Sequence, residues 1–135
     1  MFNATVRDNY ENRTTLGPLP DASIIGRSGE EGEGPFMKIY LALEQEHIRQ
    51  VTFETYGCPV AIACGSWVTR WLVGKTFEKA NLLTSEGLMI VLGGLPLGKE
   101  HCATLAVQSL QNALSQWEQQ RSSPVKSSNE EGALT

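Results

Sequence analysis

Met37, Ile39, Leu41 and Leu43 alternate with Lys38, Tyr40 and Ala42. A period of two sends successive side chains to opposite faces, so this spacing predicts a strand over 36–44. Val51, Phe53 and Thr55 alternate in the same way with Gln50, Thr52 and Glu54, which predicts a second strand over 48–56. The polar link Glu44-Gln45-Glu46-His47 is short, so the two strands pair as an antiparallel hairpin. Upstream, Ser23-Ile24-Ile25-Gly26 reads as the start of an edge strand. The run Gly29-Glu30-Glu31-Gly32-Glu33-Gly34-Pro35 reads as a loop.

The period changes at Cys58. Residues 59–73 are apolar nearly all round, with Arg70 their only charge. A helix of that kind is buried on most sides, here against the sheet. Pro59 suits a first helical position, where its missing N–H costs nothing, and Gly74 is a natural left-handed stop. A short helix over 2–12, capped by Asn3, precedes the strands and is broken by Leu16-Gly17-Pro18-Leu19-Pro20. Thr76 caps a short helix through Ala80, and Thr84 caps another through Val91. A last helix over 101–121 carries the stripe Ala103, Ala106, Val107, Leu110, Leu114 and Trp117. Strands first and helices after predict an α+β domain over 1–121, a three-stranded antiparallel sheet with helices on one face. Ser, Pro, Asn and Glu dominate 122–135, which predicts a disordered tail.

Composition narrows the function classes. The chain has 135 residues, enough for one core and short for two. Its net charge of −4, with no cluster of Lys or Arg, argues against nucleic-acid binding by a basic face. No apolar run of membrane-spanning length is present, and Met1 to Asn12 lack the apolar stretch of a signal peptide. Three cysteines follow no secreted-scaffold pattern, so a reducing cytoplasm is expected, with thiols free for metal or sulfur chemistry.

Cys58 and Cys102 carry the candidate chemistry. The first follows a predicted strand and a glycine turn, and stands at the mouth of a helix. The second, preceded by His101, opens another helix. Unpaired N–H groups at a helix start favour the thiolate, the form that binds metal or carries sulfur. His101 adds an imidazole ligand. Either cysteine alone would more often be a buried small hydrophobe. Cys64 is expected to be that, because six residues turn a helix by about 600° and point it well away from Cys58. His47 is read as solvated in the hairpin turn. Glu30, Glu31 and Glu33 are either a solvated connection or a source of one oxygen ligand.

These residues resemble a family, the NifU/IscU-type iron–sulfur cluster assembly scaffolds. The resemblance runs through Asn9-Tyr10-Glu11-Asn12, Met37-Lys38-Ile39, Phe53-Glu54-Thr55-Tyr56-Gly57-Cys58, Ala61-Ile62-Ala63, Val68-Thr69-Arg70-Trp71, Gly74-Lys75, Leu95-Pro96 and Lys99-Glu100-His101-Cys102. It implies a non-enzymatic scaffold that holds a labile cluster, [2Fe-2S] in type, on three cysteines helped by a histidine and an aspartate. It further implies a cysteine desulfurase as partner. Cys58 corresponds to the second family cysteine, Cys102 to the third and His101 to the histidine. The first cysteine is absent, since Glu33-Gly34-Pro35 stands where the family has Cys-Gly-Asp. Leu95-Pro96-Leu97-Gly98-Lys99 departs from the family's Leu-Pro-Pro-Val-Lys, which counts against a chaperone partner.

Two readings stay open on these residues. One is a cluster scaffold or carrier using Cys58, His101, Cys102 and Glu33. The other is a degenerate member that binds zinc in a Cys-His-Cys-Glu set, or only contacts a desulfurase. An enzyme with Cys102 as nucleophile and His101 as base is disfavoured, because neighbours on a helix point about 100° apart.

Overall fold

A computed structural model describes residues 3–122. The start of the first expected helix at residue 2, and all but the first residue of the expected tail, lie outside the described residues. Three strands, β1 (Ile24–Gly29), β2 (Phe36–Glu44) and β3 (His47–Tyr56), form one antiparallel sheet in the order β1-β2-β3. The helices are α1 (Ala4–Glu11), α2 (Pro59–Leu72), α3 (Phe77–Ala80), α4 (Ser85–Val91) and α5 (Glu100–Ser122). The expected α+β class and helix-on-sheet architecture are observed.

The inner face of the sheet follows from the alternation. Met37, Ile39, Leu41, Val51 and Phe53 are buried in one apolar cluster with residues of α2 and α5. Glycine sets how closely both helices approach. A Cβ at Gly65 would meet the Phe53 ring at 2.4 Å, so α2 lies on β3 only because that position is bare. A Cβ at Gly26 would meet the Ser109 carbonyl oxygen at 2.1 Å, which lets α5 lie against β1. Helix α1 packs on α2, and α4 packs on α5. Asn3 joins these layers: its Oδ1 accepts from Val6 N–H at 2.8 Å, capping α1, while its Nδ2 donates to the carbonyls of Leu92 and Gly94.

Both sheet edges are partly covered, which reduces the usual hazard of unpaired strand groups. On β1, the Arg27 N–H donates to Asn112 Oδ1 and the Ile25 carbonyl accepts from Gln116 Nε2, both on α5. On β3, the Phe53 N–H donates to the Thr15 carbonyl and the Phe53 carbonyl accepts from Gly17 N–H.

Some local expectations change. The edge strand runs on to Gly29, because Gly26 to Gly29 pair with Ile39 to Phe36. The loop therefore begins at Glu30. His47 is exposed, as expected, but it opens β3 opposite Glu44 instead of sitting in the turn, which is Gln45-Glu46. Tyr40 and Ala42, assigned to the outer face, are also buried. They lie on the central strand, and Tyr40 is flanked by Ile25 on one side and Thr52 on the other. Its hydroxyl donates to Glu54 Oε1.

Candidate functional site

The thiols meet where β3 hands over to α2. Strand β3 ends at Tyr56, Gly57 turns the chain, and Cys58 is the N-cap of α2 with Pro59 behind it. Its carbonyl accepts from the N–H groups of Ala61 and Ile62, opening the helix. Cys102 comes from α5, which starts at Glu100, so it is the third helical residue and not the cap. The two Sγ atoms are 3.9 Å apart. His101 Nε2 lies 3.7 Å from Cys102 Sγ, and the imidazole is exposed. The expected convergence of Cys58 and Cys102, with His101 beside them, is thus observed.

The expectation of two acidified thiols holds for one of them. Burial pushes Cys58 upward, but backbone N–H groups of Ala61 and Val60, the Cys102 thiol and the Lys99 ammonium together outweigh it, and the net shift is downward. The sulfur makes no capping hydrogen bond of good geometry, so this is the field of the helix mouth more than a formed bond. Cys102 moves the other way, up to about 12, first because it is buried and then because the Cys58 charge opposes a second one. Its residue exposure is 1 %. At the third position of α5, turned into the core, it loses more to burial than the helix start returns.

Cys64 is fully buried, as expected. It is not remote, however. Burial pushes its thiol up, and the charges of Cys102 and then Cys58 push it further. Helical rotation takes Cys64 off the face of Cys58, and α5, which carries Cys102, packs on α2. Lys99 is a site residue that the sequence reading did not assign. It lowers the pKa of both Cys58 and Cys102. A cation two residues before His101 was the available signal.

Glu33 stands exposed in the loop between β1 and β2. Its N–H donates to the Glu30 carbonyl at 2.9 Å, and among the described residues its carboxylate makes no hydrogen bond or ion pair. Glu31, in the same loop, pairs with Lys38 at 2.8 Å. Among the described residues, no group of three or more His, Cys, Asp and Glu side chains is gathered closely enough to hold a metal ion. The structure brings Cys58 to Cys102 and Cys102 to His101, and among the described residues the Glu33 carboxylate makes no contact with them.

A small α+β domain with helices on one face of a three-stranded sheet, and a thiol pair at the end of that sheet, defines the class. The profile described as NifU-like N terminal domain matches residues 1–124, and the chain belongs to that family. It is 36% identical over 114 residues to the iron-sulfur cluster assembly scaffold protein IscU 1 of Archaeoglobus fulgidus, covering 84% of this chain and 74% of that one. To the scaffold protein IscU of Azotobacter vinelandii it is 34% identical over 118 residues, covering 84% and 91%. Among solved structures, the N-terminal part of a nitrogen-fixing NifU-like protein from Brucella abortus has a TM-score of 0.65 at 16% identity, covering 87% and 94%. That last likeness bears on the fold. No described helix is long and apolar enough to cross a membrane.

Proposed function

We propose that this chain is an iron–sulfur cluster assembly scaffold or carrier, holding iron or a labile [2Fe-2S] cluster as cargo through Cys58, Cys102 and His101. The separation of the two sulfurs carries the reading. Thiolates sharing one tetrahedral ion at about 2.3 Å each stand about 3.8 Å apart. Cys58 Sγ and Cys102 Sγ are 3.9 Å apart. Soft anionic sulfur suits iron in clusters, and the lowered Cys58 with Lys99 nearby favours the anionic form. Glu33 is proposed as a further, oxygen ligand. It lies between Gly32 and Gly34, both at positive φ, in an exposed loop. The relatives named as scaffolds support the assignment. A cysteine desulfurase is the proposed source of sulfur, and a reducing cytoplasm the proposed compartment. The chain itself catalyses no reaction in this reading.

Anaerobic reconstitution with iron and sulfide, followed by visible absorption, is the test. The wild-type chain should develop cluster absorption, and Cys58→Ser and Cys102→Ser should each abolish it. Glu33→Cys should give a longer-lived cluster, because a soft thiolate replaces a hard oxygen. If the wild type and Glu33→Cys both stay colourless, the scaffold reading is lost. Zinc bound on purification would then favour the degenerate, zinc-binding reading.

A further inference from the structure

The spacing that suits a shared metal also suits a second state of the pair. We propose that Cys58 and Cys102 form a reversible disulfide when the site holds no metal, with Cys58 as the reacting thiol and Cys102 as the resolving one. Their sulfurs are in contact at 3.9 Å. A disulfide needs about 2.05 Å, so the two sulfurs have to approach by about 1.9 Å. Cys58 is the residue that can move, since its side chain makes no capping hydrogen bond that a rotation would break.

Exposure assigns the two roles. Cys58 is partly exposed, whereas Cys102 is 1 % exposed and Cys64 is fully buried. A small disulfide reagent therefore meets Cys58 alone. In the first step the Cys58 thiolate attacks one sulfur of the reagent. A mixed disulfide forms and one reagent thiolate leaves. In the second step the Cys102 thiolate attacks Cys58 Sγ, the Cys58–Cys102 bond forms, and the second reagent thiolate leaves. The protein pair loses two electrons and two protons, and the reagent becomes two thiols. Cys64 takes no part. It is shut in the core on α2, and the contact at 3.9 Å is between the other two.

The loop between β1 and β2 carries Glu33 and no thiol, and a carboxylate cannot exchange into a disulfide. The dithiol is thus a closed redox couple, with one partner for each sulfur. Once formed, the disulfide removes both thiolates from metal binding. That consequence rests on the metal-site reading of the previous subsection; the disulfide itself does not.

The reduced full chain, free of metal, is incubated with oxidised glutathione in the absence of air, then denatured, alkylated and weighed by mass spectrometry. Wild type and Cys64→Ala should each lose two alkylatable thiols and retain no glutathione. Cys102→Ser should trap one glutathione on Cys58, and Cys58→Ser should remain unmodified. Dithiothreitol should restore all thiols. The oxidised wild type should melt at a higher temperature than the reduced form, because the bond closes a long loop in the unfolded chain. Glutathione left on wild-type Cys58, three free thiols, or a disulfide lost in Cys64→Ala would each overturn the inference. Reconstitution of both forms with iron and sulfide separates the two proposals. Absorption in the reduced form only supports both. No absorption in either, with the disulfide present, removes the scaffold reading and leaves the redox couple standing.

Discussion

Cys58 and Cys102 both sit in the first turn of a helix, yet their acidities move apart. The difference is one of position within the turn. Cys58, at the cap, sees backbone N–H groups and solvent; Cys102, three positions further in, sees the core. Cys58 should therefore alkylate first. In the wild-type chain, the rate of iodoacetamide labelling at Cys58 should rise with pH through a midpoint below the ordinary thiol value of 9.0. Lys99→Ala should move that midpoint upward, since it removes a cation that favours the thiolate. A midpoint at or above 9.0 in the wild-type chain would contradict the account of the helix mouth.

At the scale of elements, the placement of α2 depends on a missing side chain. Gly65 faces Phe53, and a methyl group there would fall 2.4 Å from two ring carbons. Phe53 is fully buried at the centre of β3, so its ring has little room to retreat. Gly65→Ala should destabilise the fold by about 1–3 kcal/mol through overpacking, despite the better helix propensity of alanine. Chemical denaturation would measure it. In the double variant with Phe53→Leu, the two losses should be less than additive, because the smaller side chain removes the clash. Additive losses would show that the crowding lies elsewhere. The same shift of α2 would displace Cys58 at its start, so Gly65→Ala should also weaken metal uptake.

Across the whole molecule, stability should fall in alkali. Burial, and then the hydrogen bond to Glu54, push Tyr40 from 10.0 up to about 12. Burial pushes Cys102 from 9.0 up to about 12. For such groups the folded state favours the protonated form. Their contribution is complete below the unfolded values, 9.0 for the thiol and 10.0 for the phenol. It is lost as pH rises through about 12. The melting temperature should therefore drop between pH 9 and 12. Tyr40→Phe should flatten the part of that drop above pH 10, by on the order of 2–3 kcal/mol over the window. An equally steep decline in Tyr40→Phe would assign the loss to the thiols.

The local rules were legible along the chain. Alternation marked β2 and β3, continuous apolarity marked α2, and Asn3, Thr76 and Thr84 cap their helices as hydroxyl and amide side chains do. The strand-turn-helix around Cys58, and the resemblance it carries, pointed to the family and to both site cysteines. These features depend on neighbours in sequence, so sequence reveals them. Three things waited for the tertiary structure. Whether Tyr40 is buried depends on Ile25 and Thr52, which belong to other strands. The acidity of Cys102 depends on how deeply α5 sinks into the core. That the charges of Cys102 and Cys58 raise the Cys64 thiol depends on α5 packing on α2. Periodicity along one helix gives the direction of a side chain; what stands in that direction is set by which element packs there.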